Sequence, residues 1–135
     1  MASVELKYEE NGNPVTQTLT LQKWKIYRKL VRLKYNYLTG GRESRNRASQ
    51  IYFELEWEYL SPAEYGIINA VLAKFRNNEN IWITALNGLQ YAEADLIPAG
   101  GLLVDVESDT FPLSEGEYVE KMPFKITFVS QIKQA

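Results

Sequence analysis

Glu54, Glu56 and Glu58 stand at i, i+2 and i+4 in the segment Tyr52-Phe53-Glu54-Leu55-Glu56-Trp57-Glu58-Tyr59. Alternate residues of a strand share a face, so a strand here would line up three carboxylates. Such a row could hold a divalent cation or supply the carboxylate pair of a glycosidase. Like charges on one strand are more simply a solvated face, or a face that meets basic side chains on the next strand. The rest of the composition favours that simpler reading. The 135 residues include neither Cys nor His. Disulfides, thiolate zinc sites, Cys nucleophiles and His-based triads are therefore excluded, and catalysis would have to run on carboxylates, Lys or Tyr. There is no G-x-G-x-x-G, no P-loop and no nucleophile-elbow serine. No cofactor, no metal and no enzymatic activity are expected.

Charge is the second feature that bears on chemistry. The net charge is -2, too small to imply a nucleic-acid or membrane partner, but the charges are segregated. Lys23, Lys25, Arg28, Lys29, Arg32, Lys34, Arg42, Arg45 and Arg47 stand against Glu43 alone. Glu93, Asp95, Asp105, Glu107, Asp109, Glu115, Glu117 and Glu120 follow with no Lys or Arg among them. Basic and acidic strands side by side in one molecule would explain this. So would two surfaces of opposite sign that attract between copies.

Within the basic region, Thr39 to Ser49 is led by Gly40 and Gly41 and carries Arg42, Arg45 and Arg47 without an apolar anchor. It reads as an exposed loop that is solvated, grips phosphate, or docks on an acidic neighbouring subunit. Trp24, Trp57 and Trp82 could build a sugar platform. Trp57, on the apolar side of its alternation, reads as core.

The elements that position these groups are mostly strands. Val4 to Tyr8 alternates, Asn11-Gly12 is hairpin-turn chemistry, and Val15 to Leu21 returns. Trp24 to Leu38 is ambiguous between helix and strand, and its β-branched and aromatic content favours strand. Tyr52 to Tyr59 alternates without a fault. Ser61-Pro62-Ala63-Glu64 is a capping box with Pro at the first helical position, and Leu60 with Tyr65 is a hydrophobic staple. The helix then runs to about Phe75, with Tyr65, Ile68, Leu72 and Phe75 as its buried stripe and Val71 at the edge. Ile81 to Leu86, a hairpin return at Leu89 to Tyr91, Leu102 to Val106 and Phe124 to Ile132 read as further strands, and Phe111 to Glu117 as a loop. The expected fold is mainly β (α+β): an antiparallel β-sandwich or barrel with one helix packed against it, one domain over 1–135. The apolar runs are too short to span a membrane. Met1-Ala2-Ser3-Val4-Glu5 lacks a basic or apolar leader, so synthesis in the cytoplasm is expected.

The order of an Arg-rich loop, an alternating aromatic strand, and Trp57, Leu60, Ser61, Glu64 and Tyr65 in a W-x-x-L-S-x-x-E-Y arrangement resembles the middle of tailed-bacteriophage tail proteins. The capped helix and the strand Ile81-Trp82-Ile83 continue the likeness. It covers residues 42–86 and the C-terminal strand, and extends to tail tube, minor tail and distal tail proteins. The resemblance implies a non-enzymatic virion protein located in the tail and made in the bacterial host cytoplasm. Its partners would be copies of itself in rings, commonly six-fold, and other tail proteins, with DNA met only by passage through a lumen. In that setting Gly40, Gly41, Arg42, Arg45 and Arg47 would form a subunit-interface loop. Glu54, Glu56 and Glu58 could face the lumen and repel DNA, a reading that lapses if those carboxylates pair with Lys or Arg inside one chain. The alternative function is a carbohydrate- or protein-binding β-sandwich module.

Overall fold

The computed structural model describes residues 2–36, 42–91, 96–116, 122–130 and 133–134, with the backbone path alone for 30–36, 42–49 and 133–134. The chain runs β1 (Ser3–Glu10), β2 (Asn13–Thr20), β3 (Lys23–Asn36), β4 (Arg42–Trp57), α1 (Pro62–Arg76), β5 (Ile81–Asn87), β6 (Leu102–Thr110), β7 (Phe124–Ser130) and β8 (Lys133–Gln134). The strands form one antiparallel sheet in the order β2-β1-β5-β6-β7-β4-β3, with β8 beside β4. It is curled into a half-barrel, the barrel branch of the expected architecture.

The curl follows from one short connection. β2 and β3 are the two edges of the sheet, yet only Leu21 and Gln22 join them. In a flat sheet, six gaps of about 4.8 Å would put the edges about 29 Å apart. Three Cα steps reach about 11 Å at most. The edges must therefore converge at that end.

Side chains and backbone tie the seam. The Trp57 indole N–H donates to the Thr20 carbonyl at 2.6 Å. The Glu58 N–H donates to Gln22 Oε1 at 2.7 Å, and Gln22 Nε2 donates to the Tyr59 carbonyl at 3.0 Å. The Leu21 N–H donates to the Ala2 carbonyl at 2.8 Å and extends the β1–β2 ladder into the connection.

Sequence alternation decides what lies inside. Val4 and Leu6 of β1, Ile81 and Ile83 of β5, Leu102 and Val104 of β6, Ile126 and Phe128 of β7, and Phe53, Leu55 and Trp57 of β4 are all buried. Helix α1 lays Ile68, Val71 and Leu72 on this core. Val71, expected at the stripe's edge, is fully buried, while Tyr65 and Phe75 are half-buried.

The helix starts where the capping signal places it. Ser61 Oγ accepts from the Glu64 N–H at 3.2 Å and donates to Glu64 Oε1 at 3.0 Å. Asn11 and Gly12 both have positive φ, 53° and 81°, the conformation a two-residue hairpin turn requires.

Two expected elements are corrected. Residues 42–49 are the first half of β4, not a loop. They gain strand structure because β3 lies antiparallel beside them, with Arg32 opposite Arg47, Leu33 opposite Asn46 and Asn36 opposite Arg42. The hairpin return at 89–91 does not form. β5 ends at Asn87 and pairs instead with β6, Ile81 opposite Val104 and Ile83 opposite Leu102.

Candidate functional site

The three glutamates do share a face, and it is the outer one. Register places Glu56 opposite Lys23 and Glu54 opposite Lys25 on β3, and Glu56 opposite Lys125 on β7. Lys23 Nζ lies 3.2 Å from Glu58 Oε1, and Lys125 Nζ lies 3.8 Å from Glu56 Oε1. The row is thus half of a mixed-charge ladder, with Glu56 and Glu58 in ion pairs within the chain. These contacts are solvent-exposed, so each contributes at most about 1 kcal/mol.

Glu54 has a different partner. Tyr27 stacks on Tyr52 with ring centroids 5.2 Å apart and planes 3° from parallel, and Lys29 Nζ lies 5.9 Å from the Tyr52 ring centre. The Tyr27 phenol titrates above its ordinary value through desolvation first, then through its hydrogen bond to Glu54 and the negative charge of Glu54 and Glu107. No group of three or more acidic side chains among the described residues is arranged to hold a metal. No described helix is long and apolar enough to cross a membrane.

Arg42, Arg45 and Arg47 belong to β4, in a long hairpin arm. β7 pairs with β4 only along Tyr52–Trp57, and β8 only at Ala48 and Ser49. Over residues 42–47 the described partner of β4 is β3 alone. Six residues at about 3.4 Å each carry this ribbon about 20 Å beyond the body. Gly40 and Gly41 lie outside the described residues.

No family model matches this sequence, and no curated protein matches it. Among solved structures, a chain from the tail of an empty gene transfer agent particle, refined with helical C6 symmetry, is similar over 98% of this chain and 93% of that one. The TM-score is 0.46 and the sequence identity 13%.

A groove opens on the concave side of β3. Trp24, Ile26 and Arg28 face it from β3, Ile51 from β4, and Tyr91 and Leu96 from the β5–β6 connection, around about 450 Å³. Trp24 is 41% and Tyr91 38% exposed. The sequence singles out Trp24, but Gln90, Tyr91 and Leu96 carry no signal, because they stand on a connection without periodicity. Trp57 is core, as its alternation implies. Trp82 is half-buried, with Lys7 Nζ 4.7 Å from its ring centre. The three tryptophans do not come together into one platform.

Proposed function

We propose that this chain is a non-enzymatic structural subunit of a phage or phage-like tail, assembling with copies of itself into a ring or stacked rings. The β3–β4 arm carries the reading. A two-stranded ribbon is marginally stable in water by itself, and among the described residues β3 is the one strand partner of β4 over 42–47. A neighbouring subunit supplies the missing cover. Arg42, Arg45 and Arg47, in the arm, are the interface residues of this reading, and Gly40 and Gly41 join its strands in sequence. The W-x-x-L-S-x-x-E-Y junction at Trp57 to Tyr65 supports the same assignment by resemblance. Six copies per ring, other tail proteins at its ends and DNA passing through the lumen complete the picture.

The test is the mass and shape of the purified protein by light scattering and electron microscopy, at low and high salt. Rings or tubes that loosen as salt rises are expected, because exposed charges more than about 10 Å apart are screened at 0.1 M salt. A monomer at both salts and high concentration refutes self-assembly. The second reading is a carbohydrate-binding module, favoured by the exposed Trp24 and Tyr91 in one groove. It requires sugar-dependent tryptophan fluorescence in a protein that does not self-associate.

A further inference from the structure

The chain contains two Asn-Gly pairs, Asn11-Gly12 and Asn87-Gly88. Both are exposed, and the fold uses them differently. Asn11-Gly12 turns the β1–β2 hairpin, whose ladder closes up to it with Glu10 opposite Asn13. Asn87-Gly88 has the same chemistry but closes no hairpin. Asn87 is the last residue of β5. It is paired with Ser3, the first residue of β1, whereas β6 pairs with β5 only from Ile81 to Ile83. Gly88, with φ 74°, lies beyond the strand.

Asn-Gly pairs react by a route that depends on backbone shape. The Gly nitrogen gives its proton to hydroxide and attacks Cγ of the Asn side chain. A C–N bond forms, the bond from Cγ to the amide nitrogen breaks, and the departing nitrogen takes a proton from water and leaves as ammonia. Water then opens the cyclic imide at either of its carbonyls. One opening gives an aspartyl residue, the other an isoaspartyl residue whose main chain runs through the side-chain carbon.

The attack requires Cβ and the next backbone nitrogen to lie on the same side of the Cα–C bond. Asn11 has φ 53°, and the left-handed region it occupies holds ψ at about +30° to +60°, which sets the two on opposite sides. Bringing them together means undoing the turn and the pairs that close on it. Asn87 is extended, and one rotation about its Cα–C bond suffices, at a strand end where the pair with Ser3 is what is lost.

We infer that Asn87 is a site of spontaneous deamidation and isoaspartate formation, while Asn11 is protected by its turn. The reaction adds a negative charge at position 87. In the isoaspartyl form it also adds a carbon to the main chain just before Gln90 and Tyr91, which line the groove beside β3. The inference is independent of the assembly reading.

The test follows the full chain during incubation in mildly alkaline buffer, once folded and once in guanidinium chloride. Peptide mapping by mass spectrometry measures amide-to-acid conversion at each position, and an isoaspartyl methyltransferase labels the rearranged product. Circular dichroism checks that the first sample stays folded. In the folded protein, position 87 is expected to convert about tenfold faster than position 11, because strand ends open at little cost and an intact hairpin does not. In guanidinium chloride the two should agree within about threefold, since neither then has a fold to hold it. Asn87→Gln should remove most of the folded chain's conversion, because the longer side chain has to close a larger, slower-forming ring. Position 11 converting as fast as position 87 in the folded protein overturns the inference, as does a folded chain that converts at neither. A preference for position 87 that is equally large in guanidinium chloride also overturns it, because flanking sequence and not the fold then sets the rate.

Discussion

Trp57→Phe should cost about 3 kcal/mol of unfolding free energy, because Trp57 closes the seam of the half-barrel. The indole is fully buried, and its N–H donates to the Thr20 carbonyl at 2.6 Å. Phe keeps the aromatic packing but cannot donate. Leaving a carbonyl short of its partner costs about 1–2 kcal/mol, and the space vacated by the larger ring adds about 1–2 kcal/mol. For a chain of this length each kcal/mol moves the melting temperature by about 3–4 °C, so a fall of about 10 °C is expected. Urea unfolding should show a lower midpoint with an unchanged slope, since the surface exposed on unfolding stays the same. Gln22→Ala, which removes two hydrogen bonds across the same seam, should cost about 1–2 kcal/mol. The double variant should depart from additivity by more than about 0.5 kcal/mol, because both residues hold one junction. A Trp57→Phe protein within about 0.5 kcal/mol of wild type would refute the argument that this contact stabilises closure.

Two glycines should respond with opposite signs. Gly101→Ala should destabilise by about 2 kcal/mol, since φ is +101° and a Cβ would lie 3.1 Å from Thr84 Cγ2 and Trp82 Cβ. Gly66→Ala, within α1 and facing open space, should stabilise by about 0.5–1 kcal/mol, and thermal melts of both variants decide. Ser61→Ala should cost about 1 kcal/mol by removing the helix cap, read as a shift of the urea midpoint. Tyr27 should ionise above pH 10.0 in an ultraviolet titration, and Glu54→Gln should lower its pKa toward the ordinary value. Folding favours the protonated phenol, so its contribution to stability is complete below pH 10.0 and is lost as pH climbs through the raised folded-state value.

Much of the local structure is determined by the sequence itself. Asn11-Gly12 dictates a turn because few residues tolerate positive φ at both positions. The alternation from Phe53 to Trp57 dictates which side chains are core, because a strand reverses its side-chain direction at every residue. Ser61-Pro62-Ala63-Glu64 places the helix start because its side chain satisfies a donor left unpaired at the first turn. These signals act over a few residues and survive in any tertiary context. Only the tertiary structure decided what depends on distant partners. Residues 42–49 have no apolar pattern of their own and are strand because β3 pairs with them. The charge of Glu54, Glu56 and Glu58 acquired its meaning from register, which put Lys23, Lys25 and Lys125 across from them. The two edges of the sheet meet because two residues, Leu21 and Gln22, must connect them, a length constraint that becomes visible only once the strand order is known. The groove at Trp24, Tyr91 and Leu96 joins segments more than sixty residues apart in sequence, and no periodicity within either could announce it.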